Sequence, residues 1–189
     1  LHLFNPKKLE VTFLDIHQSS LDSVKAIIDG LEYSDFVKDY KCSDATLYKC
    51  DSRVHMIVTE TMKHAFEREP QVNITLNLLP QLCKNGVFIP ESVNIHLEAA
   101  FTRSVQKDNI LENIKESVYL ADIIQLNTKK QCNIDNLIVT PSLEIKQDMK
   151  NCFDLFFCTQ IKVYKEHVLN ENECSLNLPC KLQLSDKVS

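Results

Sequence analysis

The sequence predicts an α/β fold that gives way to antiparallel β-structure, and three observations carry that expectation. Helical and β-type apolar patterns alternate through residues 1–90, and the apolar period becomes two after Pro90. Asp15, Asp44 and Glu60 fall at or just beyond the ends of the early β-rich runs. Two units follow: an α/β domain over residues 1–90, and a β-rich lobe, sandwich or barrel-like, over residues 91–189.

The first β-run covers residues 9–16 and is apolar on both faces apart from Glu10, Thr12 and Asp15, as a covered parallel strand requires. A helix capped by Ser19 or Ser20 follows. Its apolar stripe is Leu21, Val24, Ile27, Ile28 and Leu31, Asp22 lies in its first turn, and it stops near residues 30–34. Residues 41–46 open on a short strand, and residues 54–59 form a buried strand that contains His55 and ends at Glu60. A helix over residues 71–79 meets Pro80, which interrupts it or opens another turn. Asn85 and Gly86 make a cap or turn before a short strand at 87–89. Beyond Pro90, Val93, Ile95 and Leu97 alternate with Asn94, His96 and Glu98, as in a half-buried strand. Further strands are expected at 118–126, 137–145, 153–164 and 174–184, with residues 108–117 open to a short helix. Phe101, Phe153, Phe156 and Phe157 are assigned to the core.

Composition narrows the function classes. The chain is 44% hydrophobic and 25% charged with net charge −5, which excludes disorder and collagen-like order. Positive charge is interspersed rather than clustered, so no nucleic-acid partner is expected. No apolar run reaches the roughly 18 residues of a membrane span, so no membrane partner is expected either. Only 2 glycines occur, against roughly 13 at the average usage of about 7%, which excludes a Gly-rich phosphate or dinucleotide loop from these residues. The first residue is not Met and no signal pattern follows it, so processing or omission upstream is expected. The 8 cysteines show no C-x-x-C spacing and no His completes a compact finger. They are read as reduced, buried, apolar side chains of a cytoplasmic protein, with no metal site.

Four segments stand in a telling order: Val11 through Ile16, Ser43-Asp44-Ala45, Ile57 through Met62, and Leu82 through Pro90. Together they span nearly half the chain, from residue 11 to residue 90, and resemble S-adenosylmethionine-dependent methyltransferases of the protein arginine methyltransferase type. The resemblance implies a partial Rossmann-like domain with S-adenosylmethionine as cofactor. It places Asp15, with Ile16 beside it, at the ribose hydroxyls, where two carboxylate oxygens suit a vicinal diol. It places Asp44 and Ala45 at the adenine. Glu60 and Glu69, nine positions apart, match the paired glutamates that clamp a substrate guanidinium through bidentate hydrogen bonds, with Glu60 also bordering the cofactor. Glu67 is a substitute for Glu69, and His64 between them is a candidate proton acceptor. His17 is read as a surface residue.

The departures are as specific. The family's first strand and Gly-rich turn are absent, and residues 1–6 resemble the tail of the helix that follows that turn. Thr61 stands where an aromatic residue is expected, a Thr-His-Trp element is missing, and the chain has no Trp. The acceptor is therefore a protein arginine or a small-molecule amine, with a homodimer as the assembly considered. A non-catalytic methyltransferase-like scaffold is the alternative. A nucleotide-binding oxidoreductase suits a strand-end acid equally but fits the later segments less well.

Overall fold

The computed structural model describes residues 5, 7–62, 70–107, 110–129 and 153–182, with backbone alone for 101–107, 110–115 and 153. The chain opens on β1 (Val11–Asp15), α1 (Gln18–Gly30) and β2 (Val37–Cys42), the two strands pairing in parallel with Asp15 opposite Cys42. The predicted serine cap is not used. Asp15 Oδ1 accepts the His17 N–H at 2.7 Å, a local turn that starts the helix at Gln18 with His17 as its cap residue. Asp22 consequently lies past the first turn, where it accepts a hydrogen bond from Gln18 Nε2.

The other end of α1 closes in a Schellman arrangement. The Tyr33 N–H donates to Ile28 O, the Glu32 N–H donates to Asp29 O, and Glu32 takes the left-handed conformation at φ 59°. The expected apolar stripe is also corrected: only Leu21 of it is buried, and Ile27 and Leu31 are exposed.

A second parallel pair joins β3 (Val54–Val58) to β4 (Leu82–Ile89) through α2 (Gln71–Leu78) and a 3-10 turn at Leu79–Gln81 containing Pro80. The expectation of a buried strand at 54–59 fails, since His55 is exposed and Met56 and Val58 are 59% and 66% exposed. Asn85-Gly86 is neither a cap nor a turn before a strand but part of a bulge within β4. Val54 pairs with Leu82 while Met56 pairs with Val87, and Asn85 absorbs the extra backbone at φ 67°. At Gly86 the backbone folds so tightly that a Cβ would lie 3.0 Å from Cys83 O and 3.1 Å from the Leu82 side chain.

The remaining strands, β5 (Ser92–Lys107), β6 (Ile110–Asn127), β7 (Phe153–Tyr164), β8 (His167–Leu169) and β9 (Cys180–Lys181), are all antiparallel. They run in the order β6-β5-β7-β8, with β9 also on β7. The short helix entertained at 108–117 is replaced by strand, because residues 110–117 zip against residues 100–107 of β5. The strand expected at 137–145 lies outside the described residues. That expected at 174–184 is a 3-10 turn, Ser175–Asn177, followed by the two residues of β9, with 183 and 184 outside the described residues. Phe156 and Phe157 are half-buried rather than core, and the side chains of Phe101 and Phe153 lie outside the described set.

Among the described residues apolar packing collects in three places. Ile74, Leu78, Leu82 and Phe88 form a core under the first region; Val93, Leu126 and Ile161 form one in the antiparallel sheet, and Leu97, Ala99 and Leu155 another. Helix α2 serves two of them, giving Ile74 and Leu78 to the first and Val72 and Leu76 to the second. At the junction, buried Glu91 meets Lys129 Nζ at 2.9 Å and Lys162 Nζ at 3.7 Å. The Lys129 ammonium leads in holding its carboxyl below the ordinary glutamate range, against the opposing effect of burial. Among the described cysteines only Cys158 is buried as expected: Cys42 is exposed, and Cys50, Cys83, Cys174 and Cys180 are half-buried. All six described cysteines are free thiols. No described helix is long and apolar enough to cross a membrane.

Candidate functional site

The carboxyl ends of β1 and β2 lie side by side, and the residues that leave them are tied together. Ser43 donates its N–H to Asp15 O at 3.0 Å, and Cys42 Sγ lies 3.5 Å from Ile16 O. Asp15 and the segment Ser43-Asp44-Ala45 are thereby held on one edge of the parallel pair.

Each aspartate commits one oxygen to its own loop. Asp15 Oδ1 takes the His17 N–H, and Asp44 Oδ1 takes both the Thr46 N–H at 2.8 Å and the Thr46 hydroxyl at 2.7 Å. In both residues Oδ2 has no hydrogen-bond partner among the described residues. The Thr46 hydroxyl, then its N–H, holds the Asp44 carboxyl below the usual aspartate range, so it stays an anionic acceptor at neutral pH. Ile16 is 61% exposed beside Asp15, and Leu47 is exposed beyond Asp44, giving the two acids apolar neighbours open to a ligand. His17 is exposed, as expected.

Helix α2 spaces the second part of the site from the first. Gln71, fully buried at its first turn, donates from Nε2 to the hydroxyls of Thr59 (2.9 Å) and Thr75 (3.2 Å) and accepts from the Thr61 hydroxyl. Glu60 sits between the two threonines it secures and is itself exposed. Six residues on, about 9 Å along the axis at 1.5 Å per residue, Asn77 Nδ2 donates to Ala45 O (2.9 Å) and Tyr48 O (2.8 Å). One short helix therefore grips the Asp44 loop and the Glu60 segment at once. Neither Gln71 nor Asn77 is marked by any local pattern in the sequence. Glu69, Glu67 and His64 lie outside the described residues, so the separation of the expected glutamate pair is not part of this geometry.

By sequence the chain matches no family profile and no curated protein. Its fold does find neighbours among solved structures. One is the Trypanosoma brucei PRMT1 enzyme-prozyme heterotetrameric complex with AdoHcy, at a TM-score of 0.55 and 10% identity over 92% of this chain and 68% of that one. Another is Arabidopsis thaliana protein arginine methyltransferase 10 in an open conformation, at a TM-score of 0.55 and 11% identity over 93% and 69%. The chain has a methyltransferase-like fold. Within that methyltransferase-like fold, Asp15, Ile16, Asp44 and Ala45 are brought to one end of the parallel pair, and the threonines on either side of Glu60 are held by a helix that also holds Ala45.

Proposed function

We propose that the chain is an S-adenosylmethionine-dependent methyltransferase acting on a guanidinium or amine nitrogen. Asp15 and Asp44 carry the proposal: Asp15 ends β1 and Asp44 lies in the loop that leaves its parallel partner β2, and each keeps one carboxylate oxygen without a partner among the described residues. That donor-poor, acceptor-rich edge fits the cofactor, whose ribose diol and adenine amino group are donors. Asp15 would hold the diol with Ile16 alongside, and Asp44 and Ala45 would hold the adenine. When bound, the cofactor supplies an electrophilic methyl group on a sulfonium. Glu60, with Glu69, orients the acceptor nitrogen by accepting its N–H hydrogens, and positioning supplies much of the rate.

In this reading residues 1–90 form a partial Rossmann-like cofactor domain and residues 91–189 a sandwich or barrel-like lobe. The change from parallel to antiparallel pairing after Ile89 supports that division. Free thiols suit a cytoplasmic location. The heterotetrameric state of the trypanosome neighbour supports an oligomer, for which a homodimer is the simplest form.

Calorimetry with S-adenosylmethionine and S-adenosylhomocysteine tests the cofactor. Asp15→Asn should weaken binding by roughly 10- to 100-fold, the worth of a hydrogen bond to a charged group. No binding to the unaltered chain overturns the reading. Methylation of arginine peptides against a panel of small amines tests the acceptor, and activity surviving Glu60→Gln with Glu69→Gln sinks the glutamate clamp. Thr61 favours a second reading, a scaffold without turnover, since Gln71 engages its hydroxyl where the resemblance expects an aromatic ring. Cofactor binding with no turnover on any acceptor selects it.

A further inference from the structure

The antiparallel sheet brings together a second set of chemical groups, far in sequence from the first. His96 and Glu98 alternate on the face of β5 opposite the buried Val93, Ile95, Leu97 and Ala99, and Cys158 of β7 stands directly across from His96. One donor atom from each of these three side chains lies within 4.8 Å of the others. His96 Nε2 and Glu98 Oε1 are 3.1 Å apart, and the His96 ring is held 5.6 Å from the Tyr119 ring. Cys158 is 1% exposed yet belongs to none of the three apolar clusters. It stands beside the His96 imidazole and the Glu98 carboxylate instead.

No lysine or arginine among the described residues forms an ion pair with Glu98. An imidazole, a thiol and a carboxylate thus converge, and Glu98 has no described cationic partner beyond the imidazole.

We propose that His96, Glu98 and Cys158 bind one zinc-class divalent cation across β5 and β7. Nitrogen, thiolate sulfur and carboxylate oxygen are three of the four donors of a tetrahedral zinc site, with bonds of about 2.0–2.3 Å and the fourth position left to solvent. Sulfur and imidazole select zinc or cobalt over magnesium and calcium. On binding, the Cys158 thiol loses its proton to solvent and the sulfur lone pair forms the metal bond. The absence of C-x-x-C or finger spacing kept this set out of sight, because strand register rather than proximity in sequence unites it.

Cobalt(II) titration of the full chain tests the site. One equivalent should produce a thiolate-to-cobalt charge-transfer band that zinc then bleaches, and the same band should survive Cys83→Ser and vanish in Cys158→Ser. His96→Gln, on a partly exposed side chain and so a mild change to the fold, should weaken zinc binding by at least about tenfold, or about 1.4 kcal/mol. Zinc should also raise the melting temperature of the unaltered chain and not that of His96→Gln. Absence of the band in the unaltered chain, or its persistence in Cys158→Ser, overturns the proposal.

Discussion

The parallel region and the antiparallel sheet answer the same apolar sequence signal in opposite ways. In β5 every second residue from Val93 to Ala99 is buried, its alternation made good by Leu126 and Ile161 on the flanking strands. In β3 the run is as apolar, yet Met56 and Val58 face outward, and in α1 so do Ile27 and Leu31. The inner face of the antiparallel sheet is covered, by Val72 and Leu76 of α2 and by Leu176 as well as by same-face neighbours on the paired strands. A parallel strand depends on layers packed on both faces. An apolar run therefore reports the cover a strand is suited to, and tertiary context decides whether that cover is present.

Substitutions can break this contrast, beginning with the largest effect. Ile95→Ala should cost about 2–5 kcal/mol by opening a cavity in the sheet, whereas Met56→Ala should stay within about 0.5 kcal/mol. Urea denaturation measures both, and equal losses would remove the distinction between the regions. Next comes the helix that joins them. Gln71→Ala strands the Thr59, Thr61 and Thr75 hydroxyls and should cost about 1–3 kcal/mol. If the Glu60 segment serves the acceptor, this variant should also raise the acceptor KM more than it weakens cofactor binding.

A smaller gain is expected at the end of α1. Glu32→Gly relieves a left-handed side chain and should stabilise by about 1 kcal/mol, while Glu32→Ala, which keeps the Cβ, should not. Thermal melts distinguish them. The finest test lies at the seam. Because Glu91 is held below its ordinary value, its ion pairs add stability above about pH 4.3, the unfolded glutamate value, and that contribution is lost as pH falls through the lower folded value. Stability measured from pH 6 to pH 3 should fall more steeply for the unaltered chain than for Glu91→Gln.

Elements with a strong local signal were legible in the sequence. The alternation at 153–164 matches β7 residue for residue, and residues 71–79 match α2 closely. Val37–Cys42 was legible only at its end, because Lys38, Asp39 and Lys41 lace an exposed-edge strand whose reality rests on pairing with β1. Residues 110–117 read equally as helix, and only their register against β5 decides for strand. The same division runs through the candidate site. Asp15 and Asp44 could be placed because a strand end is a local feature. Gln71 and Asn77 could not, because an amide that binds backbone or hydroxyl groups 10 to 32 residues away leaves no spacing to recognise.

Helix α2 has one further consequence. Its Ile74 and Leu78 belong to one core and its Val72 and Leu76 to another, while its two amides hold both loops of the candidate site. Any ligand that tightens those loops must, by reciprocity of linked equilibria, also make the helix harder to release from the antiparallel sheet. Occupancy at the strand ends should therefore be audible at a distance, as slower amide hydrogen exchange at Val93, Leu126 and Ile161, residues no ligand at the site would touch.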